Sequence, residues 1–280
     1  MNSRISFYSL PYAGIRSFYE LIDASVAHGL TRLEAFGFME LGQPDVEAAR
    51  AIRRYADEKG VRFCCLSLFA DLTGEQGGET CEKLKAYAQV AAILGSPYLH
   101  HTVIPECWEP EKVLGRKEAL WQEVLPRVRE IFDFAQSLGV LAVYEDQGFV
   151  LNGVTGFREF LERVERPVGI VADFGNILQS GETVEPFIRA FADRIVHVHL
   201  KDYRLPLWQG ENRVTRTLDG HYTVDVPLGA GCIDFAGNIR LLEQSGYRGC
   251  YALEFTEPAD GSMPTAKAVE TVANWLQASR

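Results

Sequence analysis

The sequence predicts an α/β protein, a single (β/α)8 TIM barrel over residues 1–280, and three observations predict it. Short apolar runs rich in β-branched and aromatic residues recur eight times, each followed by a loop and then a segment of helical period. The runs are near-continuously apolar, as parallel strands covered on both faces are. Shared among eight units, the chain gives each strand and its crossover about 35 residues, a size that suits such a barrel.

In order, the strand candidates are RISFYS (4–9), TRLEAFGF (31–38), VRFCCLSLF (61–69), SPYLHHTVI (96–104), VLAVYE (140–145), VGIVAD (168–173), RIVHVHL (194–200) and CYALEF (250–255). Helix candidates between them include PDVEAARAIRRYADEKG (44–60) and GETCEKLKAYAQVAAILG (78–95). In both, apolar residues return every three or four positions and the run stops at glycine, which tolerates the left-handed conformation of a helix end. No stretch rich in Pro, Gly or Ser, no low-complexity tract and no charge block marks a second domain. After the seventh strand the helical pattern resumes only near Phe235, leaving a loop of about 30 residues, and loops beyond about 15 residues are commonly lids or binding loops. This one overhangs the C-terminal face, where catalytic residues of such barrels lie.

Composition narrows the function. With 47% hydrophobic residues the chain can bury about three quarters of its unfolded surface and needs no covalent staples. A formal net charge of −10 argues against a nucleic-acid or anionic-membrane partner and for a small neutral or cationic one. The six cysteines show no C-x-x-C spacing, and Cys64, Cys65 and Cys250 sit in strand-like runs, so they read as reduced thiols of a cytoplasmic protein. The start, MNSRISFYSLPYAG, lacks the apolar core of a signal peptide, and no window of about 18 uninterrupted apolar residues suggests a membrane span.

Strands five to eight each deliver a potential metal ligand to one rim: Glu145, Asp173, His199 and Glu254. Because residues two apart share a strand face, Ile195, His197 and His199 are expected to point into the barrel while Val196, Val198 and Leu200 pack on helices. Strand eight divides likewise, with Ala252 and Glu254 inward and Tyr251, Leu253 and Phe255 outward. Carboxylates gathered inside a barrel repel one another and cost several kcal/mol unless paired. Each acid alone could cap a helix or meet a surface Arg; four ligand-type side chains at matched depth favour one divalent cation. Oxygen-rich and thiolate-free, the set suits Mn²⁺, Co²⁺, Mg²⁺ or Zn²⁺ and argues against structural zinc.

Other residues are candidates beside that set. His197, two residues deeper than His199, is expected to support a ligand by hydrogen bonding. Of His100 and His101 only one can point inward, and His101 is taken as the substrate contact. Lys201 and Arg204 could hold a carboxylate, phosphate or hydroxyl-rich substrate, or stand as solvated loop charges. Trp108 and Trp208 could stack on a sugar ring or anchor their loops.

The segments VADFGN, RIVHVHLKD, PLGAGCIDF and GYRGCYALEF give the chain its likeness to a family. It resembles the xylose-isomerase-like TIM-barrel superfamily of sugar phosphate isomerases and epimerases, which also holds inosose dehydratases and AP endonucleases. The resemblance covers nearly the whole length. It implies that Glu145, Asp173, His199 and Glu254 ligate one metal ion, with Glu145 and Glu254 doubling as the acid/base pair. It also places Glu34 and Asn176 at substrate-binding positions, although many members carry histidine where Asn176 stands. The usual Gly-Glu-Gly turn is here Gly229, Ala230, Gly231. The pair Asp219 and His221 is similar to third-metal ligands of AP endonucleases.

The expected activity is therefore a metal-dependent isomerase or epimerase that abstracts a proton next to a carbonyl and passes through an enediolate. Its substrate is a small sugar, keto-sugar or hydroxy-keto acid, and a homo-oligomer is compatible with the reading. The alternatives are an inosose-type dehydratase on the same site and an AP-endonuclease-like zinc phosphodiesterase. The latter needs more histidines, one of them at Asn176.

Overall fold

A computed structural model of the protein describes residues 3–9, 12, 14–104, 110–207, 215–254 and 266–279. All eight apolar runs form strands, close to where the pattern puts them: β1 (Ile5–Tyr8), β2 (Arg32–Phe36), β3 (Arg62–Leu68), β4 (Tyr98–His101), β5 (Leu141–Glu145), β6 (Gly169–Asp173), β7 (Ile195–Leu200) and, last in the chain, β10 (Tyr251–Leu253). They pair in parallel into a closed barrel in the order β1-β10-β7-β6-β5-β4-β3-β2. Closure leaves no free sheet edge.

Between the strands run α1 (Phe18–Ala27), α2 (Val46–Lys59), α3 (Gly77–Leu94), α4 (Pro110–Leu114), α5 (Lys117–Ser137), α6 (Gly153–Val164), α7 (Val184–Phe191), α8 (Phe235–Gln244) and α9 (Ala266–Ala278). Local chemistry sets their ends. The Asp45 carboxylate accepts the Glu47 and Ala48 N–H groups at the start of α2, and Gly60 closes it at φ 72°. One large core lies between helices and strands, with Phe157, Phe160, Phe187 and Phe191 wedged edge-to-face where α6 meets α7. Each such fully buried ring contributes about 1.5–3 kcal/mol. Inside the barrel a smaller cluster of Cys65, Val143 and Val171 fills the floor.

Two register shifts aim the interior side chains. Between β2 and β3, Leu33 pairs with Phe63 but Glu34 with Cys65, so Cys64 is an extra residue. Between β6 and β7, Ile170 pairs with Ile195 but Val171 with His197, so Val196 is extra. The second bulge corrects the expected alternation: Ile195 joins the helix-side core and Val196 packs against the interior cluster. Above it, His197 and His199 point inward as expected.

The long loop after β7 is not structureless. Asp202–Arg204 (β8) and Val224–Val226 (β9) form an antiparallel hairpin, extended by a bridge from Arg216 to Tyr222. Trp108, Trp208, Cys107 and Phe255 lie outside the described residues. Among those described, Cys64, Cys65, Cys81, Cys232 and Cys250 are free thiols; Cys232 is exposed and Cys250 half-buried. No described helix is long and apolar enough to cross a membrane.

Candidate metal centre

Parity and register together build the site. Val143, Val171 and Ala252 face inward one layer below Glu145, Asp173 and Glu254, and Asp173 and Ala252 both lie level with His199. The four ligand-type side chains meet: each offers one ligand atom, and these atoms lie within 4.8 Å of one another. Nδ1 of His199 stands 2.7 Å from Glu145 Oε1, 2.8 Å from Glu254 Oε2 and 3.8 Å from Asp173 Oδ2. Lys201 closes the group, its Nζ 2.8 Å from Asp173 Oδ2 and 3.2 Å from Glu254 Oε1.

Neighbouring groups orient the carboxylates. Asp173 Oδ1 accepts the N–H groups of Gly175 and Asn176 at 2.8 and 2.9 Å, turning Oδ2 toward Lys201 and His199. The Asp173 N–H in turn donates to Asp146 Oδ1 at 2.8 Å. Gly175 must be glycine, since a Cβ there would meet Lys201 Cγ at 2.5 Å. Beneath His199, Glu34 Oε1 lies 3.0 Å from His199 Nε2, and Oε2 lies 2.5 Å from His197 Nε2. The Ser67 hydroxyl donates to the same carboxylate.

Burial and charge then compete. Burial pushes Glu145 up to about 8, helped by the charges of Asp173 and Glu254 and opposed by His199. For Glu254 the same burial is outweighed by Lys201 and His199, which hold it down at about 2. Burial raises Asp173 against the pull of Lys201. His199 and Lys201 are desolvated too, yet the surrounding carboxylates raise both and keep them cationic. The centre is a knot of opposed charges, stable in that form only while every member is present.

Other sequence candidates fall in varied places. His101 faces the opposite side of the strand from His100: its Nδ1 lies 2.9 Å from the Thr102 carbonyl and its Nε2 3.2 Å from the Tyr144 hydroxyl, in a small cleft that His100, Glu145, Gln147 and Leu151 also line. The inward residue is His100, because Ser67 pairs with it across β3 and β4; its ring stands edge-on to His199 and its Nε2 3.8 Å from Glu145 Oε2. Glu34 is fully buried in mid-strand under His199. Asn176 is buried beside Asp173, and its Nδ2 receives no directed partner among the described residues. Arg204 is exposed on β8, whereas Lys201 is drawn into the cluster. Asp219 and His221 pair with each other at 3.0 Å and join neither ligand-type group among the described residues.

Two residues escaped the sequence reading. Asp146, directly after Glu145, is fully buried, with burial foremost in raising its carboxyl well above the usual range. Asp202, directly after Lys201, accepts the N–H groups of Gly229 and Gly231 at 3.0 and 2.8 Å and ties down the turn that leads to α8. The dipeptides Glu-Asp and Lys-Asp at strand ends were the available signals.

A closed parallel barrel with a buried carboxylate–histidine cluster at its C-terminal mouth defines a class of enzyme-like barrels rather than a structural module. The chain belongs to the xylose isomerase-like TIM barrel family, whose model matches residues 22–279. It is 32% identical over 236 residues to an inosose dehydratase of Clostridium beijerinckii, covering 79% of this chain and 78% of that one. It is 31% identical over 147 residues to Escherichia coli SgbU, provisionally named an L-ribulose-5-phosphate 3-epimerase, covering 52% of this chain and spanning only 46% of that protein's length. Among solved structures, 3-keto-D-glucoside 4-epimerase YcjR from E. coli in apo form superposes with TM-score 0.74 at 15% identity, covering 98% of this chain and 99% of that one.

Proposed function

We propose that the protein is a divalent-metal-dependent isomerase or epimerase of small sugars, keto-sugars or hydroxy-keto acids, acting by proton abstraction beside a carbonyl through an enediolate. The observation that carries this reading is the meeting of Glu145, Asp173, His199 and Glu254 within 4.8 Å. The donor set fits a cation. Asp173 Oδ2 and Glu254 Oε2 are buried, each 2.8 Å from one basic nitrogen, Lys201 Nζ and His199 Nδ1 respectively, with neither contact aligned as a hydrogen bond, and three carboxylates with one imidazole match Mn²⁺, Co²⁺, Mg²⁺ or Zn²⁺. When bound, such an ion supplies Lewis acidity to adjacent oxygens of an α-hydroxy carbonyl compound.

The side chains divide the remaining work. Glu145 and Glu254 come from non-adjacent strands and approach His199 Nδ1 at 2.7 and 2.8 Å, so they flank whatever lies over that ring. One takes the proton and the other returns one. Lys201, held against Asp173 and Glu254, offsets negative charge that develops on the substrate. His100 Nε2, buried and without a directed partner among the described residues, is left to bind a substrate oxygen.

A second reading is favoured by the relatives. Those aligned over about four fifths of this chain are named inosose dehydratases. Elimination of a β-hydroxyl begins with the same proton abstraction, so the two readings differ in where the proton or leaving group goes next.

The test is hydrogen exchange in deuterated water with Mn²⁺ and a panel of ketoses, keto-inositols and hydroxy-keto acids, read by NMR. Deuterium is expected at the carbon beside the carbonyl, with a loss of about 10²–10⁴-fold in Glu254→Gln. The products separate an epimer from an eliminated alkene. No exchange with any substrate, or nicking of abasic DNA at comparable efficiency, overturns the proposal.

A further inference from the structure

We infer that Glu34 is a positioning residue that fixes the tautomer of His199, committing Nε2–H to the barrel floor so that Nδ1 is the nitrogen offered to a cation. This rests on the metal reading above. Glu34 reaches across the barrel interior from β2, whereas His199 stands on β7, three strands away with β1 and β10 between them. Its carboxylate meets three donors: Nε2 of His199 at 3.0 Å, Nε2 of His197 at 2.5 Å and the Ser67 hydroxyl.

An ionised carboxylate only accepts hydrogen bonds, so each imidazole must turn an N–H toward it. For His199 that settles which nitrogen keeps its proton once the ring is neutral. The lone pair is then on Nδ1, the atom that faces Glu145, Glu254 and Asp173. Metal-bound histidines commonly donate their second ring N–H to a carboxylate in this way, which fixes ring orientation and raises ligand basicity. The other two donors matter as well. With His197 and Ser67 attached, the carboxylate cannot swing away from His199 without leaving polar groups unpaired in a fully buried layer.

Stability alone gives a poor reason for this residue. A fully buried carboxylate costs several kcal/mol to desolvate, and a well-packed apolar residue commonly does as well or better. Glutamine separates the roles. Its amide nearly matches glutamate in shape, but it presents one oxygen and one NH₂ to two imidazoles that both need an acceptor. One ring must change tautomer or turn.

The experiment uses the full chain labelled with ¹⁵N-histidine, with Zn²⁺ as the probe, and pairs long-range ¹H–¹⁵N NMR with calorimetric titration. In the Zn²⁺-loaded unaltered protein, His199 is expected to carry its proton on Nε2, and Glu34→Gln to lower Zn²⁺ affinity by about 10–100-fold. A proton on Nδ1 of His199 overturns the inference whether or not the variant folds. So does a folded Glu34→Gln with unaltered affinity and an unaltered His199 spectrum. If the unaltered chain binds no Zn²⁺, the metal reading itself falls and takes this inference with it.

Discussion

Lys201 shows how finely the charges around His199 are set. Its ammonium group is the nearest cation to Asp173 Oδ2, at 2.8 Å, and also reaches Glu254. Lys201→Met is expected to destabilise the metal-free protein by about 3–5 kcal/mol, because it leaves buried carboxylates uncompensated, and added Mn²⁺ is expected to restore much of that loss. Chemical denaturation with and without Mn²⁺ measures both; equal stability of the two proteins without metal would count against the charge balance described here. His101 governs a different property. Burial lowers its pKa from 6.5 to about 4, so the unfolded chain takes up the proton first as pH falls. Between those two values each pH unit downward costs up to about 1.4 kcal/mol of stability from this residue alone, and His101→Gln is expected to flatten the slope of stability against pH there. The residues differ in how legible they were. Glu145, Asp173, His199 and Glu254 stand out because each lies at or next to the end of an apolar run, at similar depth. His100 and His101 do not sort themselves, since neighbours on a strand face opposite ways and the pairing of Ser67 with His100 decides which one faces in. Glu34 was visible, but its place under His199 depends on a register shift that an apolar pattern does not announce.

At the level of elements, apolar periodicity located the eight barrel strands and the helices ending at Gly60 and Gly95, because parallel strands and amphipathic helices leave strong local patterns. The hairpin β8–β9 left none. Its two strands are three residues each with 19 residues between them, and Asp202 joins the chain beside β7 to the turn before α8. Glycine is required at that turn: Gly229 has φ +84°, and a Cβ on Gly231 would lie 2.2 Å from Asp202 Oδ1. Asp202→Ala is therefore expected to release the turn locally. Amide hydrogen exchange at Gly229 and Gly231 should quicken by about tenfold or more for each N–H bond worth 1.5–3 kcal/mol that is lost, while the barrel strands keep their protection. Unchanged exchange at both glycines would show that the hairpin does not depend on this carboxylate.

For the molecule as a whole, the closed barrel is a frame whose last four parallel strands carry the site, and in the proposed metal reading that site takes up a cation. A ligand that binds only the folded state at a hundredfold excess over its Kd adds about 2.7 kcal/mol. For a chain of this size that is an expected rise of about 5–10 °C in Tm with Mn²⁺, reversed by chelator. Asp173→Asn should abolish most of the shift without unfolding the barrel. Anomalous diffraction from crystals grown with Mn²⁺ goes to the centre of the matter. A single strong peak is expected about 2.0–2.4 Å from Glu145, Asp173, Nδ1 of His199 and Glu254 together. Saturating Mn²⁺ with no peak among those four side chains, or with the ion bound elsewhere, would contradict the metal centre and the chemistry built on it.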